Sequence, residues 1–211
     1  MKDIITFAGK DMKSILSVFI FIVSMFLICV PVSAQKTVGV FITAPDAIIK
    51  DADQTDKLEI RLAELLPKEK YNILPIRKML AKEAEYRRRK NIFQSPNQVT
   101  APKLTKDAIC ELGKEIGCDY VLSIRIDATE VKKKWDFSIG TNAVKRMNLI
   151  TVLVITDIEK QTDIFQQQYK NRGVDKVYMF NTRSGNAGKA IINAFNKFLQ
   201  EMVIVPGKDI P

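Results

Sequence analysis

The segment Lys132-Lys133-Lys134-Trp135-Asp136-Phe137 joins three cations to two aromatic rings, one of them the only tryptophan of the chain. Lysine beside tryptophan suits a protein interface or a membrane surface, because an amphipathic ring tolerates both apolar and wet surroundings. The structural alternative is that Trp135 and Phe137 fold back over a sheet edge while the lysines stay in water. A second basic run, Tyr86-Arg87-Arg88-Arg89-Lys90, falls near the end of a helical pattern. Arg87, Arg88, Arg89 and Lys90 there complement a helix C-terminus, or form a patch for phospholipid or wall polymer. Lys132, Lys133, Lys134, Trp135 and Phe137 are therefore the candidate partner-contact residues, and Arg87 to Lys90 the candidate anionic-binding patch.

Catalytic groupings are scarce. The chain contains no histidine, which removes Ser-His-Asp and Cys-His activation and the commonest ligand of zinc, copper and iron. Asp119, Asp127, Glu130, Asp136 and Asp157 show no paired spacing suited to acid–base work. Asp157 precedes a turn and reads as a turn former. Arg183-Ser184-Gly185-Asn186-Ala187-Gly188-Lys189 lacks phosphate-loop spacing and reads as the loop capping a final helix. Cys110 and Cys118 lie eight positions apart, about 12 Å along a helix, beyond the roughly 7 Å that a disulfide spans. They read as small buried side chains. No catalytic, cofactor or metal residue is assigned.

The first 34 residues set the compartment. Lys10 and Lys13 precede an uncharged apolar run, Ile15 to Val30, and Val32-Ser33-Ala34 supplies a small-x-small site. Together they describe a secretory signal peptide cut between Ala34 and Gln35. The run is shorter than the roughly 20 residues a spanning helix needs. Ile28 is too large to precede a lipidated Cys29. Met12 offers a second possible start. With Lys2, Lys10, Lys13, Asp3 and Asp11 removed, the formal charge changes from +9 to +8. Such a domain favours anionic partners; nucleic acid is excluded by export.

The elements that would carry these residues follow from periodicity. Thr37 to Thr43 reads as a buried strand, Thr55 to Leu66 as an amphipathic helix, and Lys70 to Leu74 as a short strand. A helix opens at Pro75 and runs to Asn91. Thr105 caps a helix from Lys106 to Ile116, which Gly117 ends. Asp119 to Thr129 alternates, with Tyr120, Leu122, Ile124 and Ile126 on one face and Val121, Ser123, Arg125 and Asp127 on the other. Met147 to Asp157 and Asp163 to Lys170 form a hairpin across Glu159-Lys160-Gln161. Residues 171 to 185 read as irregular, Asn186 to Met202 as the last helix, and 206–211 as a loose tail. The order β-α-β-α-α-β-β-β-α implies one α/β domain of mixed α+β type: a mixed five-stranded sheet with about four helices packed on it.

Three stretches carry a family resemblance. They are the opening strand Thr37-Val38-Gly39-Val40-Phe41, the run Glu111-Leu112-Gly113-Lys114-Glu115-Ile116-Gly117-Cys118-Asp119-Tyr120-Val121-Leu122, and the hairpin Val154 to Phe165. With the element order they resemble the TolB amino-terminal-like fold. That fold is shared by the curli-secretion (CsgG-like) lipoprotein family and the lipoprotein activators of penicillin-binding proteins. Cys118 stands where the pattern has alanine, Gln161-Thr162-Asp163 replaces its Thr-Gly turn, Phe165 replaces its tryptophan, and its lipobox is missing. The resemblance spans Thr37 to Met202. It implies a non-enzymatic, extracytoplasmic protein of the periplasm or cell surface. Such a protein would be a protein–protein interaction module in secretion, surface assembly or cell-wall synthesis, with envelope proteins as partners. Peripheral binding of anionic lipid or wall polymer through the basic patches is the alternative.

Overall fold

The computed structural model describes residues 35–92, 101–131, 144–176 and 186–211. The compact unit Gln35–Pro211 begins at the residue after the expected cleavage point. Its elements are β1 (Lys36–Thr43), α1 (Asp46–Ile49), α2 (Ala52–Leu65), β2 (Tyr71–Ile73), α3 (Ile76–Arg89), α4 (Lys106–Ile116), β3 (Tyr120–Glu130), β4 (Val144–Asp157), β5 (Thr162–Lys176) and α5 (Ala187–Glu201).

The strands form one sheet in the order β2-β1-β3-β4-β5. β1 lies parallel to β2 and β3; β3–β4 and β4–β5 are antiparallel. The expected mixed five-stranded sheet is thus the one observed, with α1 added. The α1 turn follows Pro45, which starts a helix without needing an amide donor.

Alternation in the strands decides which face each helix covers. Val38, Val40, Ile42, Leu122, Ile124, Ile126, Leu149, Leu153 and Ile155 point to one side. They meet Ile48, Leu58, Leu62, Phe195 and Phe198 from α1, α2 and α5. On the other side Phe41 and Val121 pack with Met79 and Tyr86 of α3 and Ile109 and Leu112 of α4. The α4 ends are those the residues specify: the Thr105 hydroxyl accepts from the Ala108 amide at 3.3 Å, and Gly117 adopts φ 81°.

Two expectations are corrected. Residues 171–176 are strand rather than irregular, because they complete the ladder against Val144 to Leu149. Gly173 sits in that stretch where α5 crosses the strand; a Cβ there would lie 1.7 Å from the Ala190 carbonyl oxygen. Nor is the tail loose. Gly207, at φ 80°, turns the chain so that Ile210 is fully buried. The Tyr71 hydroxyl donates to the Ile210 carbonyl at 2.8 Å.

Candidate functional site

Lys132, Lys133, Lys134, Trp135 and Phe137 lie outside the described residues. Arg87 to Lys90 end α3, beside α4, and three of the four are engaged by carboxylates. Arg87 pairs with Glu83 at 2.7 Å, both largely buried, and also donates to the Pro102 carbonyl. Arg89 pairs with Glu115 and Lys90 with Glu111 at 2.8 Å. The Tyr86 hydroxyl donates to Glu111 at 2.7 Å, and burial together with that bond pushes the phenol up to about 12. Hydrogen bonds from Lys90 and Tyr86 hold Glu111 below the usual carboxylate range, and Arg89 does the same for Glu115. This arrangement fastens α3 to α4. Arg88 has no carboxylate partner among the described residues.

Cys110 and Cys118 are buried free thiols. Burial raises both, and with the charge of Asp119 takes Cys118 up to about 11, which suppresses thiolate chemistry. Among the described residues no three histidine, cysteine or carboxylate side chains gather as metal ligands. Asp157 does form a turn, accepting from the Lys160 amide at 2.9 Å.

What the fold does assemble is a sheet face that no described helix covers. α3 and α4 pack over the β1 end of their side and leave β3, β4 and β5 open beyond it. Register places Ser123, Val154 and Gln166 in one row, Arg125, Val152 and Gln168 in the next, then Asp127, Ile150 and Lys170, and then Thr129, Asn148 and Arg172. The middle column is aliphatic in its first three rows, Val154, Val152 and Ile150, and Ile150 is 37% exposed. At the covered end, Phe41, Leu104 and Ile109 join Ser123, Arg125, Val152, Val154 and Gln166 to line a hollow of about 350 Å³. Arg125 is held by Asp127 at 2.9 Å. Lys103, Arg146, Lys170 and Arg172 add cations around the face, leaving it basic. An aliphatic floor with hydroxyl, amide and charged groups around it can bury an apolar side chain and hydrogen-bond a flanking backbone.

The alternation of β3 had already placed Ser123, Arg125 and Asp127 on one side. The central column has no such distinct pattern in the sequence. Its residues lie in Met147 to Asp157, where both faces of one strand carry branched apolar residues, as in a strand covered on both sides.

No family model matches the chain and no curated protein matches it. Solved structures similar to it include a hypothetical protein from Chlamydia trachomatis, at 12% identity and a TM-score of 0.38, covering 80% of this chain and 93% of that one. The C-terminal domain of LpoB from Salmonella enterica is similar at 13% identity and a TM-score of 0.34, covering 70% and 90%. Lipoprotein GNA1162 from Neisseria meningitidis is similar at 12% identity and a TM-score of 0.37, covering 80% and 100%.

Proposed function

We propose that this protein is exported and works without catalysis as a protein-interaction module of the cell envelope, using the open face of β3, β4 and β5. The observation that carries this reading is the aliphatic column Ile150-Val152-Val154, ringed by polar and cationic side chains on a rigid sheet. An apolar core with a polar rim is the anatomy of a protein contact. Export is supported by the character of residues 1–34 and by a compact unit that starts at Gln35. The lack of histidine supports a role without acid–base chemistry near neutrality. The three TolB-like stretches support the same setting. Among the described residues no helix is long and apolar enough to cross a membrane.

The test is crosslinked recovery of partners from envelope fractions with Val152→Arg and Val154→Arg variants, both at half-buried positions. A charged side chain in the column should reduce recovery at least about tenfold, as expected when a well-packed contact is lost. Equal recovery with both variants folded would sink the reading. The same assay with Lys132, Lys133, Lys134 and Trp135 changed to alanine tests the contact segment named from sequence.

A further inference from the structure

β5 is an edge strand, and its outward-facing groups can be identified residue by residue. The Val131 amide donates to the Arg146 carbonyl at 3.0 Å, so Arg146 and alternate residues after it turn their backbone groups toward β3. Met147, Leu149, Thr151 and Leu153 then turn theirs toward β5, where Gly173, Asn171, Tyr169 and Gln167 face them. By alternation, Gln166, Gln168, Lys170, Arg172 and Val174 present N–H and C=O away from the sheet. Two contacts bear this out: the Arg172 carbonyl accepts from Lys197 at 2.9 Å, and the Val174 carbonyl accepts from the Asn193 amide at 3.0 Å.

Side chains of α5 therefore close the C-terminal part of the edge. At the other end the ladder shifts register at Ile155/Thr156, and Asp163 is held by the Thr156 hydroxyl and by Lys106. Between these ends Gln166, Gln168 and Lys170 are exposed, and their backbone groups have no partner among the described residues. Natural edges are usually blunted by proline, bulges or charge. Here the bulge lies beyond one end of the stretch and Lys170 supplies a single charge at the other, so Gln166, Gln167 and Gln168 are left without such a device.

We propose that Gln166 to Lys170 accepts an extended acidic segment of a partner protein as a sixth strand of the sheet, an inference that rests on the domain being a protein-interaction module. Main-chain bonding would supply affinity and alternate side chains specificity. Charge selects the segment. Lys170, Arg172 and Lys197 cluster at one end of the open stretch. Of the nearby carboxylates, Asp163 is paired with Lys106, while Asp175 and Glu201, which accept from the Asn186 amide and the Asn171 side chain, stand on the α5 side of the strand, away from the Lys170 and Arg172 side chains. A second copy of this chain fits less well. Two-fold pairing about Gln168 would set Lys170 against neutral Gln166 and drive the flanking residues into Lys197 and Asn193. A row of donors and acceptors at strand spacing matches a peptide rather than a lipid headgroup.

The experiment is residue-resolved amide exchange on the labelled protein, expressed with its leader and recovered after export. The probe is a capped peptide of alternating Asp and Val; alternating Lys and Val, and anionic phospholipid vesicles, serve as comparisons. In the free protein the Gln166, Gln168 and Lys170 amides should exchange at least about tenfold faster than those of Gln167 and Tyr169. The acidic probe should slow these three amides at least about tenfold, the scale of one or two main-chain hydrogen bonds. Gln168→Pro removes an outward N–H, which an edge strand tolerates. It should abolish that slowing while Gln167 and Tyr169 stay protected, which shows the strand intact. Lys170→Glu leaves the backbone unchanged and should weaken binding of the acidic probe several-fold.

The inference is overturned if the probe slows none of the three amides, if Gln168→Pro binds undiminished, or if the basic peptide does as well. Slowing by vesicles alone would assign the edge to lipid instead. Protection in the free protein that rises with its concentration would assign it to a second copy. Failure of the probe while Val152→Arg still abolishes partner recovery would discard the edge and keep the module.

Discussion

Single side chains show how this domain spends its charges. Glu83 and Arg87 are one turn apart on α3, and the pair is nearly dry, with side chains 6% and 11% exposed. Burial raises the Glu83 carboxyl, while the Arg87 guanidinium pulls it back. Removing one member of such a pair strands the other. Arg87→Ala should therefore cost about 3–5 kcal/mol in urea denaturation, and adding Glu83→Gln should recover much of that loss. Asp157 titrates the other way. Burial pushes its carboxyl up, but the Lys160 amide and ammonium outweigh burial and hold it below the ordinary value. A carboxyl held lower in the folded state gives stability that is present above about pH 4 and drains away as pH falls through the folded value. Asp157→Asn should lower the urea midpoint at pH 7 and flatten the fall in stability below pH 4. An unchanged acid limb would remove Asp157 from the explanation.

At the scale of elements, the hairpin and the last helix carry the tightest constraints. Gln161 closes the β4–β5 turn with φ 54°, a conformation that costs a residue with a side chain about 1 kcal/mol. Gln161→Gly should raise the melting temperature by about 2–4 °C for a domain of this size. Gly173→Ala should do the reverse, at about 3 kcal/mol, because the Ala190 carbonyl it would strike is helix backbone and cannot swing aside. Thermal unfolding checks both.

The same elements show how much could be read in advance. β3, β4 and the caps of α4 were legible because their signals are local: alternation, Thr105, Gly117. The strand character of residues 171–176 was not, since Asn171, Arg172 and Asp175 look like loop. They are held by a register set at the far end of the hairpin and by α5. The burial of Ile210 depends on Tyr71, far away in sequence. The pairing of Arg89 and Lys90 with Glu115 and Glu111 likewise joins two helices whose proximity no local pattern reports. Of the open face, the polar β3 residues were visible in the alternation, and the Ile150-Val152-Val154 column was hidden inside a run that looked like core.

On the scale of the whole molecule, the described helices cover most of one side of the sheet and a smaller part of the other. The sheet thus serves as core on one side and as surface on the other, and the net positive charge biases that surface toward acidic partners.

The most direct test places a photo-crosslinking amino acid at Val152 in the full-length protein and, as a control, at Lys57 on α2. Illumination of intact cells should then give a protein adduct of defined mass from position 152 and none from position 57. Equal adducts from both positions, or none from position 152, would contradict the assignment of the open face as the working surface.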